Sequence, residues 1–252
     1  MNKTTAVPAT QTLSDEAFRK LRLISTATLT SQLMIRGLRN TFLGGLQPLR
    51  PDIRMVGYAF TLRYAPMRED QDGGVHYDNS RNVQRLAVEA VDQGQVLVID
   101  ARGETGAASL GHILATRLLH RGAAGVVTDG AVRDSGSFRE LENPTYVKAA
   151  HATTSSLIHH PVDMNVPIGC AGVLVMPGDV MVGDSEGVVV IPARMAESVA
   201  HDAFEQEVLE DWILRRVASG ASITTLYPPD EATRAEYDRW RATQGDDPQL
   251  GS

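Results

Sequence analysis

QVLVIDARGETGAASLGHILATRLLHRGAAGVVTDGAVRDS, residues 95 to 135, decides the fold. QVLVIDA (95–101) is an unbroken apolar run of strand length, which predicts a buried strand. SLGHILATRLLHRG (109–122) sets Ile113, Leu114, Leu118 and Leu119 inward on one helical face and stops at Gly122. GVVTDG (125–130) is a second buried strand, closed by a turn at Asp129-Gly130. Strand, helix and strand with short links form a βαβ unit, whose strands are parallel and whose crossover is right-handed. Parallel strands are covered on both faces, so neither run alternates.

Around this unit the chain reads as more of the same class. MVGYAFTLRYAP (55–66) is a strand ended by proline, and REDQDGGVHYDNS (68–80) is a long polar loop. SRNVQRLAVEAVDQG (80–94) is an amphipathic helix closed by Gly94, with Val83, Leu86, Ala87, Ala90 and Val91 on its inner face. Upstream, two helical segments start at caps expected at Ser14 and Thr26. Residues 164–192 are β-rich, with a hairpin turn at Asp184-Ser185-Glu186-Gly187. A long helix follows from about Ala193 to Gly220, then a capped one near Asp230. The expected organisation is a disordered leader (1–12), a single α/β domain (13–220) and a C-terminal extension with one helix and a flexible tail (221–252).

The 252 residues are 42% apolar and 22% charged, enough to bury a core without staples. The single cysteine, Cys170, rules out an intrachain disulfide and fits a reducing cytoplasm. Net charge is −7 and only three lysines occur, Lys3, Lys20 and Lys148, so no phosphate-binding patch is indicated and no nucleic-acid partner is expected. No apolar run approaches the length of a membrane span, which predicts a protein without a membrane partner. There is no P-loop and no dinucleotide-binding glycine pattern.

Ligands of parallel α/β sheets bind outside the carboxyl ends of the strands. The first strand here leads to RGETGAASLGHI and a helix start, whose amides near Gly111, His112 and Ile113 form an anion site. The second strand brings Arg133 and Asp134 to the same edge. A 2-oxo acid suits that set. Its carboxylate takes the amides and the Arg133 guanidinium, and its keto oxygen takes a hard cation, Mg²⁺ or Mn²⁺, held by Asp134 and waters. A surface Arg-Asp pair beside a turn is the alternative that the spacing leaves open. His159-His160 with Asp163 lacks a spaced third ligand, and Cys170 reads as a small buried residue.

The run HYDNSRNVQRLAVEAV through VLVIDARGETGAASLGHILATRLLHRGAAGVVTDGAVRDS resembles the RraA-like family. So does PVDMNVPIGCAGVLVMPGDVMVGDSEGVVVIP, and the resemblance covers roughly residues 50 to 195. That family holds class II 4-hydroxy-4-methyl-2-oxoglutarate/4-carboxy-4-hydroxy-2-oxoadipate aldolases and protein regulators of ribonuclease E. The resemblance implies an α/β/α swivelling-domain fold with a parallel or mixed central sheet and an added C-terminal helical extension. It implies a homotrimer or hexamer with the site at a subunit interface. It also implies an enzyme in which Arg133 binds the pyruvyl carboxylate and stabilises an enolate, and in which Asp134 ligates Mg²⁺. Regulator-type members often lack the aspartate of this pair. Two departures stand out: His112 and Ser137 occupy positions that are often acidic in the aldolases. His112 is then a candidate general acid/base. An acidic residue of the long C-terminal helix would reach a neighbouring site in the aldolases, with Glu207 one candidate. The expected activity is retro-aldol cleavage of a small 4-hydroxy-2-oxo acid, with oxaloacetate decarboxylation alongside. The alternatives are a dehydratase or hydrolase of a keto-deoxy sugar acid, and a non-catalytic inhibitor of ribonuclease E.

Overall fold

The computed structural model describes residues 12–72 and 78–245. The expected leader, save its last residue, and the tail beyond Gly245 lie outside these residues, as do His76 and Tyr77. The strands are β1 (Gln47–Pro48), β2 (Met55–Pro66), β3 (Gln95–Asp100), β4 (Ala108–Leu110), β5 (Gly125–Val132) and β6 (Thr145–Ala150). They continue with β7 (His159–Met164), β8 (Ile168–Cys170), β9 (Val173–Val175), β10 (Val180–Gly183) and β11 (Val188–Ile191). The helices are α1 (Asp15–Leu21), α2 (Thr26–Ile35), α3 (Glu69–Asp72), α4 (Val83–Ala90) and α5 (His112–His120). After them come α6 (Ser135–Phe138), α7 (Ala196–Ala218), α8 (Ile223–Leu226) and α9 (Glu231–Arg241).

The main sheet runs β1-β6-β5-β3-β2-β10-β11. Its centre, β6-β5-β3-β2, is parallel, as the βαβ reading requires. The twelve-residue β2 is long enough to take two antiparallel partners on its other edge, β10 along Met55–Tyr58 and β7 along Leu62–Pro66. The result is the mixed α/β architecture with C-terminal helices that the sequence implies.

Alternation along the strands separates the two faces. On one face Val56, Val180, Val182, Val189 and Ile191 pack under α1, α2 and α7. On the same face Phe60, Leu62, Leu97, Ile99 and Val126 pack under α4 and α5. The opposite face, with Met55, Ala59, Val96, Val98 and Val127, is covered by the β8–β9 hairpin. Strands of three residues around Gly169 and Gly172 give the chain a hairpin there, not another helix. Helices α8 and α9 join the first cluster through Leu226 and Tyr237, and Tyr237 and Trp240 lie 5.5 and 6.3 Å from Trp212.

Several local readings need correction. Asp129-Gly130 is not a turn: β5 runs on to Val132, with a bulge between Thr128 and Ala131. There β5 exchanges its partner β3 for β4, and Gly130 is required because a Cβ would stand 2.6 Å from that of Ala101. The first residues of the expected helix at 109 form β4, so α5 begins at His112 and Ile113 points outward, 76% exposed. The cap of α2 is Ser25, which accepts from the amide of Thr28, because Thr26 is engaged with Asp184. In α4 the inner stripe is Gln84, Ala87, Val88 and Val91, whereas Leu86 is exposed.

Candidate functional site

β4 pairs with the end of β5, and the amide of Arg133 donates to the carbonyl of Leu110 at 3.1 Å. That ladder sets Gly111, the residue after β4, beside Arg133, the residue after β5. The side chain of Arg133 lies across Gly111: a Cβ there would stand 3.0 Å from Nε and 3.3 Å from Cγ. Glycine at 111 is thus a close-approach requirement, and any side chain would displace the guanidinium.

Asp134 adopts the left-handed conformation (φ 62°, ψ 35°), which Asp tolerates better than most residues. Its carbonyl accepts from Ser137 and Phe138, closing the short α6. Its carboxylate caps no amide of that helix and lies 3.4 Å from Arg133 Nε. Both side chains are more than a third exposed, so the pair adds little stability. The carboxylate keeps its lone pairs for other partners.

At the start of α5 the carbonyl of Gly111 takes the amides of Leu114 and Ala115. Helix geometry leaves the amides of His112 and Ile113 without intrahelical acceptors, pointing past the helix start. The His112 ring stands edge-on to Phe138 at 6.3 Å, with Nε2 3.4 Å from Thr116 Oγ1. Gly111, Ile113, Leu114 and Arg133 line a cleft of about 170 Å³, together with Gln84, Arg85, Thr154 and Ser155. That size suits a small acid, below the range of drug-sized ligands. His112 and Asp134 flank this cleft through their neighbours in sequence but are not among its lining residues.

Gln84, Arg85, Thr154 and Ser155 were not legible as site residues. A signal existed for Gln84 alone, a polar residue spaced with Ala87, Val88 and Val91 on an apolar helical stripe.

The other candidates resolve as structure. His159 is buried against Tyr64, with ring centroids 5.0 Å apart, and burial lowers its pKa. Asp163 faces Arg63 at 3.7 Å. Cys170 is fully buried, and burial pushes its thiol well up. Glu207 accepts from Ser25 at the start of α2. Among the described residues no group of three His, Cys, Asp or Glu is placed to hold a metal. A cation at Asp134 would rest on that one carboxylate, on waters and on oxygens of a bound ligand. Mg²⁺ accepts such a set, since it usually keeps several waters and binds one or two carboxylates plus substrate.

Comparison with known proteins places these features. The RraA-like family model, described as Aldolase/RraA, matches residues 10–190. A protein of Halalkalibacterium halodurans named as a putative 4-hydroxy-4-methyl-2-oxoglutarate aldolase is 30% identical over 182 residues, 72% of this chain and 80% of its own length. Protein DlpA of Legionella pneumophila is 28% identical over 183 residues, 71% of this chain but only 29% of that much longer protein. The crystal structure of Streptomyces coelicolor RraAS2, described as an unusual member of the RNase ES inhibitor RraA protein family, superposes with a TM-score of 0.71 at 32% identity. It covers 79% of this chain and 96% of that one.

Proposed function

This chain belongs to the RraA-like family, and from that premise we propose that it is a divalent-metal-dependent lyase that cleaves a small 4-hydroxy-2-oxo acid to pyruvate. The observation that carries the reading is the close approach of Arg133 to Gly111, which sets a guanidinium against free helix-start amides in a small cleft.

The substrate carboxylate would take the Arg133 guanidinium in paired, charge-assisted hydrogen bonds and the amides of His112 and Ile113. This would hold the 2-oxo group on the side of Arg133, whose Nε lies 3.4 Å from the Asp134 carboxylate. Mg²⁺ held by Asp134 would supply positive charge to the keto oxygen. Cleavage begins when a base removes the proton of the C4 hydroxyl. The C3–C4 bond breaks, its electron pair enters the pyruvyl fragment as an enolate, and a carbonyl product leaves. Protonation at C3 then gives pyruvate. Arg133 stabilises the enolate charge, and His112, between the lining residues Gly111 and Ile113, is the residue assigned to move the proton. Oxaloacetate decarboxylation passes through the same enolate and is the expected companion activity.

The test is pyruvate release from 4-hydroxy-4-methyl-2-oxoglutarate and from oxaloacetate with Mg²⁺, after subtraction of metal-only blanks. Asp134→Ala should lower the rate by about 100-fold or more, about 2.7 kcal/mol, with only a small fall in melting temperature, since alanine tolerates the left-handed conformation at 134 less well than aspartate. EDTA should lower the wild-type rate likewise. Activity that persists in Asp134→Ala and in the wild type with EDTA would overturn the metal role. The Streptomyces relative's description favours a second reading, inhibition of a ribonuclease through a protein surface. Wild type that releases no pyruvate yet slows such a ribonuclease would put that reading first.

A further inference from the structure

The cleft holds a second guanidinium that neither the family resemblance nor the comparisons assign. Arg85 lies on the first turn of α4, where its amide is capped by Asn82 Oδ1 at 3.1 Å. Its side chain lines the same cleft as Arg133. Arginines nearby on α4 and α5 are answered by carboxylates: Arg81 by Asp78, and Arg117 and Arg121 by Glu89. Arg85 has no Asp or Glu partner among the described residues. Its Nη1 donates to the neutral Oε1 of Gln84 at 2.6 Å.

Gln84 makes that bond a directed one. Its side chain is buried on the apolar stripe of α4, where an uncompensated amide would be costly. Nε2 donates to the carbonyl of Ser109 at 2.7 Å, which leaves Oε1 free to face Arg85 and settles the orientation of the amide. The same carbonyl accepts from Tyr64 at 2.9 Å, and Ser109 Oγ donates to Ala131 in β5 at 3.0 Å. Arg85 is therefore tied, through one buried amide, to the β4–β5 ladder that also positions Gly111 and Arg133. Two half-exposed arginines held to one frame in a cleft of about 170 Å³ match a ligand with an anionic group at each end.

We propose that Arg85 is a specificity-determining residue that receives the distal carboxylate of the substrate, with Gln84 as its positioning residue. The cleft then selects 2-oxo diacids over 2-oxo monoacids. This rests on the reading of Arg133 and Gly111 as the 2-oxo acid site.

The probes are 2-oxoglutarate, which carries both carboxylates, and pyruvate, which carries one. Titration calorimetry with Mg²⁺ present gives the ratio of the two affinities. Wild type should bind 2-oxoglutarate at least about tenfold more tightly. Arg85→Met should bring that ratio close to one. Arg85→Lys, which keeps the charge but not the planar fork, should retain part of it. It also carries the test if Arg85→Met is unstable. Equal weakening of both ligands in Arg85→Met, or a wild type that binds them alike, overturns the assignment, while pyruvate binding keeps the 2-oxo acid reading. Wild type that binds neither ligand removes that reading and this inference together.

Discussion

The carboxylate of Asp129 accepts from the amides of Ala101 at 2.7 Å, Gly103 at 3.0 Å and Ala171 at 3.3 Å, and it is buried. That of Asp134, five residues further on, is half exposed and contacts Arg133 Nε at 3.4 Å. Two aspartates at one strand end thus have opposite uses. At 129 the lone pairs are consumed in tying the β3–β4 loop and the β8–β9 hairpin to β5. At 134 they are left open beside the cleft. Acidity alone does not mark a site. What marks it is a carboxylate whose acceptor capacity the fold has not used.

The largest stability effect that would test this contrast comes from Asp129→Asn. Arg102 and Ala171 lie in the left-handed region at φ 62° and 47°, where a side chain is strained, and Asp129 bonds to the loops that contain them. Burial holds the Asp129 carboxyl above the usual carboxylate range in spite of its three amide donors. An asparagine removes the buried charge but offers one acceptor oxygen in place of two and adds donors with nothing to meet. The net loss should be about 2 kcal/mol. Denaturant unfolding measures it, and pyruvate release per folded molecule should fall far less than in Asp134→Ala. A variant as stable as wild type would show that the two aspartates do not differ as argued.

This contrast also shows how far the sequence can be read. The apolar runs at 55–66, 95–101 and 125–128 are strands because nothing but burial on both faces accommodates them, so the parallel core was legible. The exchange of partners at Asp129-Gly130 was not, because Asp-Gly is a turn signal wherever the chain is free to turn. Here the β4 ladder and the three amides keep it extended. The same ladder explains why Gly111, Ile113 and Arg133 line one cleft. Gln84 and Arg85 escaped because a helical face was assigned by counting apolar residues, and the stripe is rotated by one position to bury an amide. A polar residue kept on a buried stripe was the available clue.

Gly111→Ala sharpens the comparison from the side of the site. The added methyl meets Arg133 Nε at 3.0 Å, and the guanidinium is half exposed, so it can swing away at little cost to the fold. The melting temperature should move little. The kcat/KM for pyruvate release should drop about tenfold, near 1.4 kcal/mol, because the carboxylate clamp is misplaced. Steady-state kinetics beside a thermal melt separates the two. A tenfold loss in Asp129→Asn but none in Gly111→Ala would reverse the assignment of which region holds the fold and which holds the ligand.

The smallest effect concerns a titrating group away from both aspartates. His159 is 2% exposed and packs on Tyr64, and among the described residues neither ring nitrogen has a hydrogen-bond partner of ordinary geometry, the Ala107 backbone being its main polar influence. Burial is the main cause that lowers its pKa, outweighing the Ala107 backbone and Glu104, which favour the charged ring. The sign follows from linkage. A histidine depressed in the folded state binds its proton more readily when unfolded, so stability is complete above the ordinary histidine pKa. It is lost as pH falls through that value towards the lower, folded one. Between pH 7.5 and 5.5 the wild type should therefore lose stability progressively. His159→Phe keeps a ring against Tyr64 and removes the titration, so its unfolding free energy should be flatter over that interval. Equal slopes in the two proteins would assign the acid sensitivity to other groups and leave His159 a packing residue alone.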